Sequence, residues 1–460
     1  MPTAAATPTA VPPVLWFWAF TVALGGFLFG FDTAVISGAT HLLEAEWALG
    51  KAALGQVVAA ALYGTVVGAL AGGFPAEAYG RRATLLGVGA LFLASAVGSA
   101  LAQTPLQLAL ARFVGGLAVG ASSVVAPLYI TEVAPAPYRG RLVAAFQANL
   151  VVGILAAYLS NYLVDAAGAG ERWRLMLGIE IAPAALFLAL LTRVPRSPRW
   201  LVAKADRPAE ALAVLRRVDP AGAEAELAAI RAASGARGRV ALGEFFSRRY
   251  ARPIGLAFAI ALFNQVSGIN AVIYFAPDIF AAAGLAREAA LLGSVGIGVV
   301  NVAFTLLGMA LIDRVGRRRL LYAGSVGYVV SLSAVAYAFT TGALGGWAVP
   351  GWLFAFIASH AVGQGAVIWV FISEIFGNEV RGLGAGLGSA THWVFAALIG
   401  GTFPALAERF SEGPLFAFFA ACMVAQLLWV RFAMPETRGV DLEALQARLA
   451  PDPRGGSNPS

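Results

Sequence analysis

Apolar residues fill this chain in twelve long blocks, divided by short polar stretches and a single long one. The blocks run near 14–38, 54–76, 84–102, 106–130, 142–164, 173–193, 253–276, 289–312, 319–340, 350–373, 383–406 and 414–434. Each is about 20 residues, the length an α-helix needs to cross the hydrocarbon of a bilayer. Strands of a membrane barrel would be about half as long and would alternate in polarity. The pattern therefore predicts an all-α membrane protein with twelve transmembrane helices. The long polar stretch, 194–252, is different in kind. Residues 209–218 place Leu212 and Leu215 on one helical face, and residues 223–233 do the same with Leu227 and Ile230. Short amphipathic helices lying under the bundle are expected there.

Two loops of the first half return in the second. Gly72-x4-Glu77-x2-Gly80-Arg81-Arg82 follows block two, and Gly308-x4-Asp313-x2-Gly316-Arg317-Arg318 follows block eight. Glu132-x6-Arg139-Gly140 follows block four, and Glu374-x6-Arg381-Gly382 follows block ten. Two coincidences in the same order predict a six-plus-six repeat: bundles at 14–193 and 253–434, an intracellular helical linker at 194–252 and a cytoplasmic tail at 435–460. Duplicated halves of this kind rock about a shared site near the bilayer midplane. The repeated acids and arginines suit a latch on the rim. Arginine's rigid fork holds carboxylates and helix ends in one state and releases them in the other.

Composition agrees with a membrane protein: 59% of residues are hydrophobic, 12% are charged and the mean hydropathy is +0.76. A soluble domain carries about 25% charged residues. The pI near 9.8 invites a nucleic-acid partner, but the location of the charge rejects one. Between Arg193 and Arg252 there are 13 Lys/Arg against 6 Asp/Glu, and the rest of the chain carries 19 of each sign. Basic loops gathered on one side of the membrane mark the cytoplasmic face. Both termini and the central loop are expected there, in a multi-pass protein of the plasma or inner membrane whose standing partner is the lipid bilayer. Residues 1–13 lack the basic start and cleavage site of a removable signal peptide. One cysteine, Cys422, and three histidines without ligand spacing give no reason to expect a metal, a cofactor or a disulfide. No phosphate-binding loop is present, so direct ATP-driven transport is not expected. No nucleophile, base and orienting group converge as an enzyme would need, and no obligatory protein partner is evident.

The chemistry lies in the few polar residues inside the blocks. Asp32 is the only ionisable side chain from Val14 to Gly38. A carboxylate at that depth costs about 2.5–3.5 kcal/mol on insertion scales, so it should face a watery cavity where a proton can come and go. Arg112, near the start of block four, is its natural partner, and pairing would hold Asp32 ionised. Glu180, in block six, is either a member of the same proton relay or a partner for the loop arginines. The second half carries Asn264, Gln265 and Asn270 around Gly268, then Tyr274, Asn301, Trp369, His392 and Trp393, with Gln147 facing them from block five. Amides both donate and accept hydrogen bonds, which suits vicinal hydroxyls, and indole faces suit the C–H face of a sugar ring. An uncharged sugar or polyol fits this set.

Several motifs together resemble the sugar porter family of the major facilitator superfamily. They are Gly30-Phe31-Asp32-Thr33-Ala34-Val35-Ile36-Ser37-Gly38, the paired Gly-Arg-Arg loops, Pro127-Leu128-Tyr129-Ile130-Thr131-Glu132 with Arg139-Gly140, Gln265-x2-Gly268-Ile269-Asn270, and Pro435-Glu436-Thr437-Arg438-Gly439. The resemblance implies two six-helix bundles alternating access to one central monosaccharide site. It implies proton coupling through Asp32, Arg112 and Glu180. It implies sugar contacts from Phe29, Gln147, Asn264, Gln265, Asn270, Tyr274, Asn301, Gly365, Trp369, His392 and Trp393. The cytoplasmic latch would use Glu77, Arg81, Arg82, Glu132, Arg139, Asp313, Arg317, Arg318, Glu374 and Arg381. The chain departs from the family at Asn264 (usually Gln), Ile154 (Gln), His392 (Gln or Asn), Glu77 (Asp) and Arg196, which stands for Glu in a Pro-Glu-Ser-Pro-Arg motif. Block ten also lacks the usual prolines around Ala366 and Ile368. The expected activity is monosaccharide uptake with a proton. The rivals are a facilitative uniporter, distinguished by the residue at position 32, and a sensor that does not transport, which would be expected to carry a longer cytoplasmic extension.

Overall fold

The computed structural model describes residues 12–135, 138–168, 171–234, 242–377, 379–440, 445 and 449. Twelve helical segments are long and apolar enough to cross a membrane. In order they are Pro13–Gly38, Lys51–Ala78, Arg81–Leu101, Pro105–Val133, Arg139–Ala166 and Arg172–Leu191, then Arg248–Ala282, Arg287–Val315, Arg317–Thr341, Ala348–Ile375, Arg381–Phe410 and Glu412–Phe432. All twelve expected blocks are present, most extended by a few residues at the ends. Several extensions begin at a basic residue, Lys51, Arg81 or Arg139; the Lys51 head stays partly exposed and pairs with Glu44 at 2.8 Å, whereas Arg81 is buried against Glu132. Residues 1–11 and most of the 435–460 tail lie outside the described residues. Leu445 and Leu449 are buried in a cluster of the second half.

Helix starts follow local chemistry. Thr104 accepts from the Gln107 N–H at 3.2 Å ahead of Pro105, a side-chain cap joined to a proline that needs no donor. Between spans two and three, and again between eight and nine, the chain turns at a left-handed glycine, Gly80 (φ +92°) and Gly316 (φ +101°). Span seven breaks at Gly268 (φ +82°) and bends again at Phe275, just before Pro277. Span ten, whose one proline is Pro350 near its start, passes through a widened stretch of backbone at Ala361–Gly365. Single wide turns of this kind are common at functional sites, and this one lies just before the positions around Ala366 and Ile368 where the prolines are missing.

Within the first half, small residues let backbones touch. A methyl group on Gly116 would strike the Ala61 carbonyl of span two, and one on Gly30 would strike the Leu150 carbonyl of span five. In a bilayer, where lipid is as apolar as leucine, this close approach is a main source of helix association. Gly116→Val should therefore lower the thermal unfolding midpoint and the yield of folded protein. Gly87→Val, where an added methyl meets nothing within 4 Å, should do neither. Equal effects of the two, measured in the same detergent, would contradict this packing account.

The hydrogen bonds and close approaches between the halves lie on the face away from the arginine loops. Thr40 donates to Asp278 at 2.8 Å, Arg287 pairs with Asp165 at 2.9 Å, and Tyr158 donates to the Ile273 carbonyl at 2.8 Å. Gly55 of span two presses on the Gly401 backbone of span eleven. On the arginine face, no described ion pair joins the first half to the second; Arg249 at the end of the linker pairs with Glu379 of the second half at 3.0 Å, and the others stay within one half or within the linker. The linker forms the expected short helices, Pro198–Ala203, Pro208–Val218 and Ala223–Ser234. Their apolar faces meet in a small core of Leu201, Ala211, Leu215, Leu227 and Ile230, with Leu212 against it. Arg217 lies 5.0 Å over the Trp18 ring, tying this layer to the start of span one.

Candidate functional site

Asp32 sits in the interior of span one, 1% exposed, and is not a cap at its end. Arg112 reaches it from span four: Nη1 donates to Asp32 Oδ1 at 2.5 Å and Nη2 to the Asp32 backbone carbonyl at 2.7 Å. Both side chains are almost wholly buried. Gly115 keeps this corner open: a methyl group there would strike Ser95 Oγ at 2.4 Å and come within 3.2 Å of Asp32 Oδ1. Glu180 is buried close to the same pair, with its Oε1 buried and without a described partner. Glu180 lies near Asp32 and Arg112, and among the described residues it makes no ion pair with the loop arginines.

A second cluster gathers most of the expected sugar contacts. Gln265 is its hub. Its Nε2 donates to Asn264 Oδ1 at 2.9 Å and lies 3.1 Å from the ring nitrogens of His392, while its Oε1 accepts from Asn270 at 2.7 Å. His392 is held between Trp369 (centroids 5.1 Å apart) and Trp393 (4.7 Å). Trp393 in turn meets Phe29 of span one at 5.5 Å. Trp369 stays 40% exposed, so one indole face is free. Trp393 Nε1 is buried without a described partner, a donor left for something else to accept. Span one joins the clusters: Thr33, the neighbour of Asp32, donates to the Phe29 carbonyl at 2.8 Å, and the Phe29 ring meets Trp393, while Tyr274 is buried in span seven.

Other expected contacts are not drawn in by hydrogen bonds. Gln147 is half-buried, Asn301 accepts only from Thr305 at 3.3 Å, and Gly365 ends the wide turn of span ten beside His360. A chain of buried amides escaped the sequence reading. Gln364 approaches Asn264 at 3.5 Å and donates to Gln426 at 2.9 Å, and Gln426 donates to Ser325 at 2.7 Å. This row links spans seven, ten, twelve and nine behind the hub. The one available signal was their position as lone polar residues in apolar blocks.

The rim arginines divide into two kinds. Arg81 holds Glu132 at 2.8 Å and Glu77 at 3.1 Å; Arg317 holds Glu374 at 2.7 Å and Asp313 at 3.1 Å. Arg82 and Arg318 donate to carbonyls at the ends of spans six and twelve. Arg139 and Arg381 are not ion-paired with any described residue, and each has a buried Nε without a described partner. Glu132 and Glu374 are thus held inside their own halves by Arg81 and Arg317, because the left-handed glycine turns aim those two arginines at them.

Twelve membrane-length helices in duplicated halves, with a buried acid–base cluster beside an amide and aromatic cluster, define a membrane transporter. Residues 18–449 match the model of the family described as "Sugar (and other) transporter", and the chain belongs to that family. It is 35% identical to the arabinose-proton symporter of Bacillus subtilis, over 92% of each chain. Among solved structures it is similar to the inward-open xylose transporter of E. coli (31% identical, 94% of this chain and 99% of that one, TM-score 0.83). It is also similar to the major facilitator superfamily proton:xylose symporter bound to 6-bromo-6-deoxy-D-glucose (31% identical, 95% and 99%, TM-score 0.77).

Proposed function

We propose that this chain carries a monosaccharide, a hexose or a pentose, inward together with a proton by alternating access. The observation behind this is the buried Asp32–Arg112 pair, with Glu180 buried near it, joined to the Gln265 cluster through Phe29, whose ring meets Trp393 at 5.5 Å. Family membership and relatives named for arabinose and xylose support the substrate class. In this reading a proton on Asp32 loosens its tie to Arg112, and the sugar binds Gln265, Asn264, Asn270 and His392. The buried N–H of Trp393 gives one of its hydroxyls a donor. The halves at 14–193 and 253–434 then rock as units over the 194–252 linker.

The basic excess supports a cytoplasmic arginine face, termini and 435–460 tail. In this reading the contacts on the opposite face close the outer entrance, and the similarity to an inward-open relative supports an inward-facing state. Arg139 and Arg381 would find acids in the opposite half only when the cytoplasmic side shuts.

Purified protein in sealed vesicles tests the coupling. With the outside made acidic, labelled sugar should accumulate inside, and adding sugar to a weakly buffered medium should turn that medium alkaline. Uptake that only equilibrates under every imposed pH difference, with no proton movement, would make the protein a uniporter. Competition by glucose, xylose, galactose, fructose and inositol in the same assay identifies the sugar.

A further inference from the structure

Around their arginine loops the two halves repeat each other contact by contact. Arg81 donates to the Ala76 carbonyl at 3.0 Å, as Arg317 does to that of Ile312 at 3.2 Å. Arg82 donates to the carbonyls of Leu191 and Thr192, as Arg318 does to those of Val430 and Arg431. Ser197 donates to Glu132 at 2.5 Å, as Thr437 does to Glu374 at 2.6 Å.

The copies part at the residue before that hydroxyl. In the second half it is Glu436, whose carboxylate accepts from the N–H of Arg317 at 3.0 Å and of Arg318 at 3.2 Å. The chain's own acid thereby fills the positive start of span nine, where the first N–H groups have no helical partner. In the first half it is Arg196. A guanidinium has no acceptor to offer, and no described residue accepts from the N–H of Arg81 or Arg82. A cavity of about 170 Å³ lies there, lined by Tyr79, Gly80, Arg82, Ala83, Arg196 and Trp200. The Trp200 ring lies against Gly80, but its one polar hydrogen goes to the Glu77 carbonyl at 3.0 Å. Arg82 has only carbonyls for partners, and Arg196 reaches Glu210 at 3.7 Å with both side chains open to solvent. Positive charge therefore surrounds a space that holds a carboxylate in the other half.

We propose that this cavity binds a phosphate group, whose oxygens take the Arg81 and Arg82 N–H groups as Glu436 takes their counterparts, with Arg196 and Arg82 as charge partners. Helix starts and arginine forks are the usual donors to phosphate. The source is a phospholipid headgroup of the adjoining leaflet. Ala83 begins an exposed stripe up span three, continued by Gly87, Ala90, Ala94 and Val97, and Tyr79 beside it is exposed. A phosphate seated in the cavity could lay its acyl chains along that stripe.

Thermal unfolding of the full-length protein in detergent tests this, titrated separately with phosphatidylglycerol, with diacylglycerol of the same chains and with inorganic phosphate. Phosphatidylglycerol should raise the unfolding midpoint in proportion to its binding, and diacylglycerol should not. Arg196→Gln should need about tenfold more phosphatidylglycerol for the same rise, since one charge-assisted contact is lost. Arg196→Glu, which rebuilds the second half's arrangement, should abolish the rise; if it does not fold, Arg196→Gln carries the test alone. A rise with inorganic phosphate that vanishes in both variants would replace the headgroup with free phosphate as the source. No response in the parent protein, an equal response in the variants, or an equal response to diacylglycerol overturns the proposal.

Discussion

Asp32→Asn is expected to bring sugar accumulation down to simple equilibration across the membrane while leaving sugar binding and exchange in place. Asparagine keeps the size of the side chain and a carbonyl to accept from Arg112, so the 2.5 Å contact can survive in neutral form. What it removes is the group that gains and loses a proton as access alternates. The cost is a buried arginine with a weakened counter-charge. Deleting one partner of a buried ion pair costs about 3–5 kcal/mol, although Glu180 stands close enough to offset part of it. For that reason Asp32→Asn is preferable to Asp32→Ala, and counterflow of labelled sugar must be measured on the same preparation. Counterflow retained with accumulation lost assigns coupling to this carboxyl. Accumulation retained under a pH difference would remove Asp32 from coupling and shift attention to Glu180.

That pair was legible in the sequence because the first half holds so few charges at depth. Asp32 stands alone in its block and Arg112 needed an acid; nothing else nearby offered one. The twelve spans were equally open to reading, since the thickness of a bilayer imposes one length on all of them. Glu180 was harder. Its partner depends on which way span six turns, and periodicity in a uniformly apolar helix does not mark a face. The same blindness hid Gln364 and Gln426, whose value comes wholly from meeting Asn264 and Ser325 across helix contacts. The latch shows another limit. The motifs named the acids and arginines as one set without saying which meets which, and the turns at Gly80 and Gly316 deliver Arg81 and Arg317 to Glu132 and Glu374. The repeat was visible as a motif, whereas the inequality between Arg196 and Glu436 acquires meaning only once both are seen at the start of a helix.

The second large effect is expected at Gln265. Its amide serves three neighbours at once: Asn264, Asn270 and His392. Gln265→Leu keeps the bulk but leaves the Asn270 amide without its acceptor and the Asn264 oxygen without its donor. Each buried polar group stranded in this way costs about 1–3 kcal/mol. Sites built to hydrogen-bond hydroxyls lose more than one contact when their own scaffold loosens. Sugar affinity should therefore fall about tenfold to a thousandfold, following the rule that 1.4 kcal/mol is a factor of ten. Gln265→Glu separates shape from donor count: the carboxylate still accepts from Asn270 but cannot donate to Asn264, so its loss should be smaller at neutral pH than that of leucine. The row of Gln364, Gln426 and Ser325 lies behind the hub and should hold the helices in place, so both variants should fold, with the unfolding midpoint of Gln265→Leu lowered by the stranded groups but by less than that of Gly116→Val. Equilibrium binding of the sugar identified by competition, measured beside thermal unfolding, distinguishes the cases. Unchanged affinity in Gln265→Leu would move the sugar away from this hub, and an affinity loss that tracks unfolding would make Gln265 a structural residue.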